Sequence, residues 1–312
     1  MTSVSHAKWM RDPFWWNAIE PRPGRFRFAY YDHYMIQIAR HGLHVVAQLM
    51  GTPRWAGAST FAIPANPTAY ATYVAAVLHR YGVGGTFWRT HPSLRGSAIT
   101  TVELWNEPYF DNGNAGRYDP ARYAHLVRAA SIAAHHVDRS ARILMEAEME
   151  PHHYSVWRWW VDSLYRAIPT LNRYFDGVSV HDFGSDVKHL APIVYGQPYG
   201  NFGRLRRIED LRRQFVHHRA AGKAFWIMET GWSTCTVQSI DCVSAAQQRS
   251  NLITLEGYLR NQWHNWVQAA FVYRFSDGPQ SSQVQDGYGV IHSNGSVKPA
   301  LSVFRAMVFA SG

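Results

Sequence analysis

Thr101-Val102-Glu103-Leu104-Trp105-Asn106-Glu107-Pro108 opens as an apolar strand and closes on Asn-Glu-Pro, so a glutamate stands where the strand gives way to a loop. Side chains alternate along a strand, so Glu103, Trp105 and Glu107 share one orientation for as long as the strand stays regular. Pro108 has no amide hydrogen to add to a ladder and ends the pairing there. Phe225-Trp226-Ile227-Met228-Glu229-Thr230-Gly231-Trp232 has the same form, with Glu229 at the carboxyl end of an apolar run and Gly231 to release the chain.

Outward from these two segments, short apolar runs alternate with longer amphipathic ones. The runs are Lys8–Phe14, His44–Met50, Ile99–Trp105, Arg142–Ala147, Gly177–His181, Ala224–Glu229 and Gln268–Tyr273. Helices are predicted near Tyr31–His41, Pro67–Tyr81, Pro120–Val137, Val156–Ala167, Leu205–Arg219, Ala245–Trp266 and Pro299–Met307. Asn66-Pro67 and Asp119-Pro120 are helix-opening pairs, and Gly42 and Gly82 stand just past helix ends. Such alternation implies βα units and a parallel sheet, an α/β fold of the (β/α)8 TIM-barrel type. No linker or repeat interrupts it, so 1–312 reads as one domain. Seven strands are recognisable where a closed barrel has eight. Too few residues precede Lys8 for another βα unit, since the crossover alone takes a dozen or more. The expectation is a barrel truncated at its N-terminal end; an open or rearranged sheet is the alternative.

Composition narrows the function classes. The 312 residues are 46% hydrophobic and 17% charged, as a packed globular chain is. Thirteen Trp, 17 Tyr and 15 Phe exceed what such a core needs, and aromatic faces suit the C–H faces of sugar rings. The formal charge of +9 raises the question of an anionic partner. The densest basic stretch, Arg204, Arg206, Arg207, Arg212 and Arg213, is interleaved with Leu205, Ile208, Leu211 and Phe215, the pattern of an amphipathic helix with a solvated outer face. No nucleic-acid partner is expected. No run of about 18 apolar residues exists, so no membrane span is expected, and the opening residues lack the charged-then-apolar pattern expected of a signal peptide. Cys235 and Cys242 either staple one loop or remain thiols.

Two carboxyls delivered from strand ends on a barrel rim are what glycosidic cleavage requires. At this point the chain resembles glycoside hydrolase clan A, in particular the family 5 cellulase-like and family 39 xylosidase-like enzymes. The resemblance runs from Trp9 to Met307. Asn106-Glu107-Pro108 after a strand is similar to the clan's acid/base signature, and Glu229 three strands later to its nucleophile. The resemblance implies a retaining hydrolase of β-linked saccharides and gives Asn106 a bond to the sugar 2-hydroxyl. It places His181, in Ser179-Val180-His181, near the active site, and Arg11 in support of the nucleophile. The chain departs from the clan at its front and at its last strand, where Tyr273 and Phe275 stand in place of a frequent Trp. Trp16, Trp55 and Trp232 follow strand ends and, with Tyr273, are candidate sugar contacts. Trp157, Trp159 and Trp160 fall on a helix and read as packing. Glu146, Glu148 and Glu150 alternate near a strand end and read as ion-pair or loop residues.

Other classes fit less well. A metal-dependent hydrolase needs converging ligands with an organised second shell, and the 17 histidines form adjacent pairs without an HExxH. No metal and no cofactor are expected. Gly82-Val83-Gly84-Gly85 is neither a dinucleotide fingerprint nor a phosphate loop. A non-catalytic carbohydrate-binding barrel would keep the aromatic residues without turnover. The expected protein is a monomeric hydrolase with a carbohydrate substrate, acting in a secreted or extracytoplasmic setting.

Overall fold

Asn66-Pro67 and Asp119-Pro120 start helices because each cap side chain accepts a backbone N–H that the first turn leaves without a partner, and each proline needs none. In the computed structural model Asn66 Oδ1 accepts from Thr68 N at 3.0 Å and Asp119 Oδ1 from Arg122 N at 2.8 Å. The two helices run Pro67–Tyr81 and Pro120–Val137, the bounds the sequence predicts. The structure describes residues 5–109, 119–147, 156–184, 187, 205–237, 242–279 and 282–310, with the side chains of all but 156–159, 309 and 310. Glu148, Glu150 and the side chains of Trp157 and Trp159 lie outside that description.

The chain folds as two compact units: Lys8–Glu148 with Arg158–Ser179, and Val180–Gly312 with two short stretches from earlier in the sequence. In the first unit β1 (Trp9–Trp15), β2 (His44–Met50), β3 (Thr101–Leu104), β4 (Arg142–Glu146) and the opening of β5 (Gly177–Asp182) pair in parallel, each with its successor. Between them stand α1 (Trp16–Ile19), α2 (Ala29–Arg40), α3 (Pro67–Tyr81), α4 (Thr86–Thr90), α5 (Pro120–Val137) and α6 (Val156–Ala167). β2 is buried from Val45 to Met50 and β3 throughout, as strands covered on both faces are. β1 is mostly half-buried and pairs with β2 alone among the described residues.

The carbonyls at the carboxyl ends of these strands lie deep in the unit, where an unpaired backbone oxygen is costly. Three tyrosine hydroxyls donate to such carbonyls, at Leu49 O in addition to the bond from Trp105 N. Tyr73 of α3 donates to Phe14 O, Tyr70 of the same helix donates to Leu49 O at 2.6 Å, and Tyr123 of α5 donates to Leu104 O at 2.9 Å. Burial pushes all three phenols well above their ordinary pKa, so they remain hydroxyl donors.

In the second unit the end of β5 is followed by α7 (Ile208–His217), β6 (Ala224–Thr230), α8 (Ala245–Asn261), β7 (Val267–Val272) and α9 (Ala300–Ala310). α7 buries Ile208, Leu211 and Phe215, the apolar face read from the sequence. Arg207 departs from the expected solvated face: it is buried, its Nε 3.6 Å from Asp182 Oδ1 at the end of β5. α8 stops at Asn261, short of the expected Trp266, because Trp263 N and Val267 N turn back onto Tyr258 O and Trp263 O, each at 2.8 Å. β6 and β7 pair in parallel with a register shift between Ile227 and Thr230.

Two devices hold the loops beyond β6 and β7. Cys235 and Cys242 form a disulfide, resolving the choice the sequence left open. Lys298 is buried, and its ammonium donates to Asp277 Oδ1 at 2.6 Å, Thr234 Oγ1 at 2.7 Å and Gly287 O at 3.1 Å. All three of its protons are therefore used, which makes burial of the charge tolerable. Among the described residues no helix is long and apolar enough to cross a membrane.

Gly42 and Gly82, both read as helix stops, stop their helices for different reasons. Gly42 has φ +65° with open space around a would-be Cβ, so only the left-handed backbone demands glycine. Gly82 has φ −66°, and a Cβ there would meet Leu78 O at 2.6 Å and Asp138 Oδ2 at 2.9 Å. We expect Gly42→Ala to cost about 1 kcal/mol and Gly82→Ala about 1–3 kcal/mol, measured by urea unfolding. Equal, negligible losses would contradict both explanations.

Candidate active site

Where β3 ends, the backbone leaves strand geometry abruptly. Trp105 has φ +76° and Glu107 φ +44°, left-handed values that residues with a Cβ rarely adopt. The expectation that Glu103, Trp105 and Glu107 share an orientation therefore fails past Leu104, because regular pairing stops there. Trp105 N makes the last bond of β3 to β2, to Leu49 O at 3.0 Å, and its ring is buried edge-on against Tyr70. Such outliers persist only where surrounding structure over-determines them, and they cluster at functional sites.

The surroundings of Glu107 do over-determine it. Its backbone N–H donates to Glu146 Oε2 at 2.7 Å, and Glu146, the last residue of β4, is itself buried. Glu146 N donates to Tyr123 Oη at 2.8 Å, the same hydroxyl that caps Leu104. Asn106 is held on its acceptor side by Arg11 Nη2 at 3.0 Å and by Gln48 Nε2. Its Nδ2 lies 3.4 Å from Glu107 Oε2. Arg11 also pairs with the buried Glu103, Nε to Oε2 at 2.5 Å, and Glu103 accepts from Ser179 Oγ. Glu107 and Asn106 remain half-buried above this buried layer.

In the second unit Glu229 lies within the register shift of β6, where Ile227 and Thr230 pair with Ala270 and Val272. Three residues of β6 thus advance against two of β7, a bulge of the kind that re-aims a side chain. The Glu229 side chain is 14% exposed, and His181 Nε2, at the end of β5, stands 3.7 Å from its Oε1. Gly231 follows with φ +148°, and a Cβ there would meet the Tyr288 ring at 3.2 Å. Tyr288 closes a half-buried aromatic cluster with Tyr273 and Phe183, ring centroids 5.4–5.7 Å apart.

The sequence-predicted residues thus separate by environment. Glu107, Asn106 and Arg11 meet in the first unit, and Glu229 and His181 in the second. Arg11 bonds Glu103 and Asn106. Trp55 is half-buried, its indole N–H on Glu20 O at 2.9 Å. Trp16 is fully buried among Trp55, Tyr70 and Tyr73, its N–H on Glu20 Oε2 at 2.7 Å. Trp232 is 3% exposed and donates to Gly184 O at 2.6 Å. Trp16 and Trp232 are therefore framework here, since a tryptophan after a strand end can as easily fold back as reach outward. Trp160 is buried against Tyr123, the packing role read for it. Sequence reasoning missed Gln48, Phe183 and Tyr288, and it gave Glu146 only a loop or ion-pair role. For Gln48 the usable signal was a lone polar residue inside the apolar run Val45–Met50; for the others none was.

No family model matches the chain, and no curated protein matches it. Solved structures do. A family 39 glycoside hydrolase from the gut symbiont Bacteroides cellulosilyticus WH2 is similar at 16% identity and TM-score 0.70, covering 98% of this chain and 58% of its own. A monomeric β-xylosidase from Caulobacter crescentus CB15 is similar at 16% identity and TM-score 0.66, covering 97% and 62%. The intracellular xylanase TsXylA from Thermoanaerobacterium saccharolyticum JW/SL-YS485 is similar at 13% identity and TM-score 0.61, covering 95% and 87%. The chain spans about three fifths of the length of the first two. The fold is α/β of the (β/α)8 barrel type with seven strands among the described residues, as the alternation of the sequence predicts.

The Arg11–Glu103 pair gives a direct test of the buried layer. Arg11→Met removes the guanidinium from a carboxylate with no exposed side-chain surface and leaves it the Ser179 hydroxyl as a donor. We expect a loss of roughly 3–5 kcal/mol in unfolding free energy, as for other broken buried pairs. A change below about 1 kcal/mol, the range of surface pairs, would show that the guanidinium is dispensable to the layer.

Proposed function

We propose that this chain is a retaining glycoside hydrolase acting on β-linked saccharides, with Glu229 as nucleophile and Glu107 as acid/base. The observation that carries the reading is a fold likeness, over nearly the whole chain, to structures described as a β-xylosidase and a xylanase. It is joined to two half-buried glutamates at strand ends, each in a local setting that fixes its backbone. Glu229 attacks the anomeric carbon as a carboxylate, while Glu107 gives its proton to the departing glycosidic oxygen. The bond to the leaving group breaks as the glycosyl ester forms. Glu107, now ionised, removes a proton from water, which attacks the ester and frees Glu229.

The remaining residues fall into supporting roles. Asn106, held on its acceptor side by Arg11 and Gln48, presents its amide N–H to a substrate oxygen. His181 faces Glu229 and fixes its carboxylate. Tyr273 and Trp55 keep half-exposed rings for a sugar face; Trp16 and Trp232 act through the core. The Cys235–Cys242 disulfide fits a protein that works in an oxidising, extracytoplasmic setting. Xylo- and gluco-configured β-linkages are the proposed substrates.

Hydrolysis of aryl β-xylosides and β-glucosides tests the proposal. Glu107→Gln should lower kcat/KM by on the order of 10²–10⁴ where acid assistance is needed, and Glu229→Gln should abolish turnover. Proton NMR of the first-formed sugar should show the anomer of the substrate. An active parent whose variants keep full rate would exclude these two residues. Release of the opposite anomer would exclude the covalent route.

A further inference from the structure

We infer that Glu146 is a positioning residue for the acid/base: its buried carboxylate holds Glu107 in the left-handed backbone conformation from which the side chain can reach a leaving group. The inference rests on the reading of Glu107 given above.

The geometry points to Glu146 in three ways. First, the contact is with the backbone. Glu146 Oε2 accepts from Glu107 N at 2.7 Å, so it fixes where the Cα–Cβ bond points without itself bonding the Glu107 carboxyl through this contact. Second, the backbone it holds would otherwise relax. Glu107 has φ +44°, and two residues earlier Trp105 has φ +76°, so the segment is displaced from ordinary strand or helix geometry at both positions. Third, Glu146 is itself fixed. It ends β4 in register with Ser179, it is fully buried, and its N–H donates to Tyr123 Oη, which is anchored on Leu104 O at the end of β3. Tyr123 thus ties the last residue of β3 to the last residue of β4, and Glu146 ties β4 to the residue that carries the proton. A charged acceptor makes a shorter and stronger bond to an amide than a neutral one does, which suits a carboxylate here better than an asparagine or glutamine.

Acid assistance matters in proportion to how poor the leaving group is. An activated aryl group departs as a stable phenolate without a proton; an unactivated one needs Glu107 correctly placed. A misplacement of about 1 Å can cost on the order of 10²-fold in rate. A general loss of structure would lower the rate on both substrates alike. Loss of positioning alone separates them.

The experiment compares the parent, Glu146→Gln and Glu146→Leu on phenyl and 2,4-dinitrophenyl β-glycosides, with thermal unfolding to establish that each is folded. Alongside it, hydrogen exchange of the Glu107 amide is followed by NMR on protein labelled with ¹⁵N-glutamate. Glu146→Leu should lose about 10–100-fold in kcat/KM, which reports formation of the glycosyl ester, on the phenyl substrate and little on the dinitrophenyl one, and its Glu107 amide should exchange at least about tenfold faster. Glu146→Gln, which keeps a neutral acceptor, should fall between parent and Leu variant on every readout. If Glu146→Leu does not fold, the Gln variant carries the test through its leaving-group dependence and exchange. Equal losses on both substrates, or a Glu107 amide whose exchange neither substitution changes, would overturn the inference. A parent inert on every glycoside whose Glu107 amide nonetheless loses protection in the variants would sink the hydrolase reading and leave the Glu146–Glu107 contact standing without a catalytic purpose, which also overturns the inference as stated.

Discussion

Buried tyrosine hydroxyls at the carboxyl ends of the strands are the constraint on which the first unit depends. A carbonyl oxygen has two lone pairs, and near the carboxyl ends of these buried strands a tyrosine hydroxyl supplies a donor to each of three of them, at Leu49 O beside the bond from Trp105 N. Tyr73, Tyr70 and Tyr123 cap Phe14, Leu49 and Leu104 in turn, from two helices. The caps fix where each strand stops and bring α3 and α5 into register with the sheet beneath them. They also explain part of the aromatic excess. A tyrosine here supplies apolar bulk to the helix–sheet interface and one donor at its far end, a combination that phenylalanine or serine cannot offer.

The cap on Leu104 has a further consequence. By holding the end of β3 and the amide of Glu146 with one oxygen, Tyr123 lets the chain break from strand geometry immediately afterward. A left-handed conformation costs a residue with a Cβ about 1–2 kcal/mol. A hydrogen bond to a charged group contributes about 1.5–3 kcal/mol. The Glu107 N–H bond to Glu146 is therefore of the right size to offset the unfavourable φ at Glu107. For Trp105 the offset comes from its amide bond to Leu49 O and the burial of its indole.

Much of this was legible in the sequence, and the reasons differ by residue. α3 and α5 were readable to the residue because Asn66-Pro67 and Asp119-Pro120 act locally, through bonds spanning two or three positions. Glu107 and Glu229 were placed near strand ends from the sequence because each closes an apolar run. What stayed hidden depends on partners far along the chain. Nothing near Trp16 or Trp232 says that Glu20 or Gly184 will take its indole proton and leave the ring in the core. The bulge at Glu229 arises from pairing with β7, and the burial of Arg207 from Asp182. Glu146 looked like one of three alternating acids until the fold set it under Glu107.

As the proposed acid/base, Glu107 must be rigid in its backbone while its carboxyl can still exchange a proton. Its carboxyl first donates a proton and later takes one up, so any strong bond to that carboxyl would favour one protonation state and slow one step. Fixing the residue through its own backbone N–H avoids the conflict, because the amide has the same charge in both steps. As the proposed nucleophile, Glu229 has the opposite requirement. It must be ionised and aligned at the start, and a neighbour on the carboxylate itself, His181 at 3.7 Å, serves that need. Glu107 is thus held at its amide by Glu146 while its carboxylate accepts from Asn106 Nδ2 at 3.4 Å, and Glu229 has His181 3.7 Å from its carboxylate, the support that the proposed roles call for.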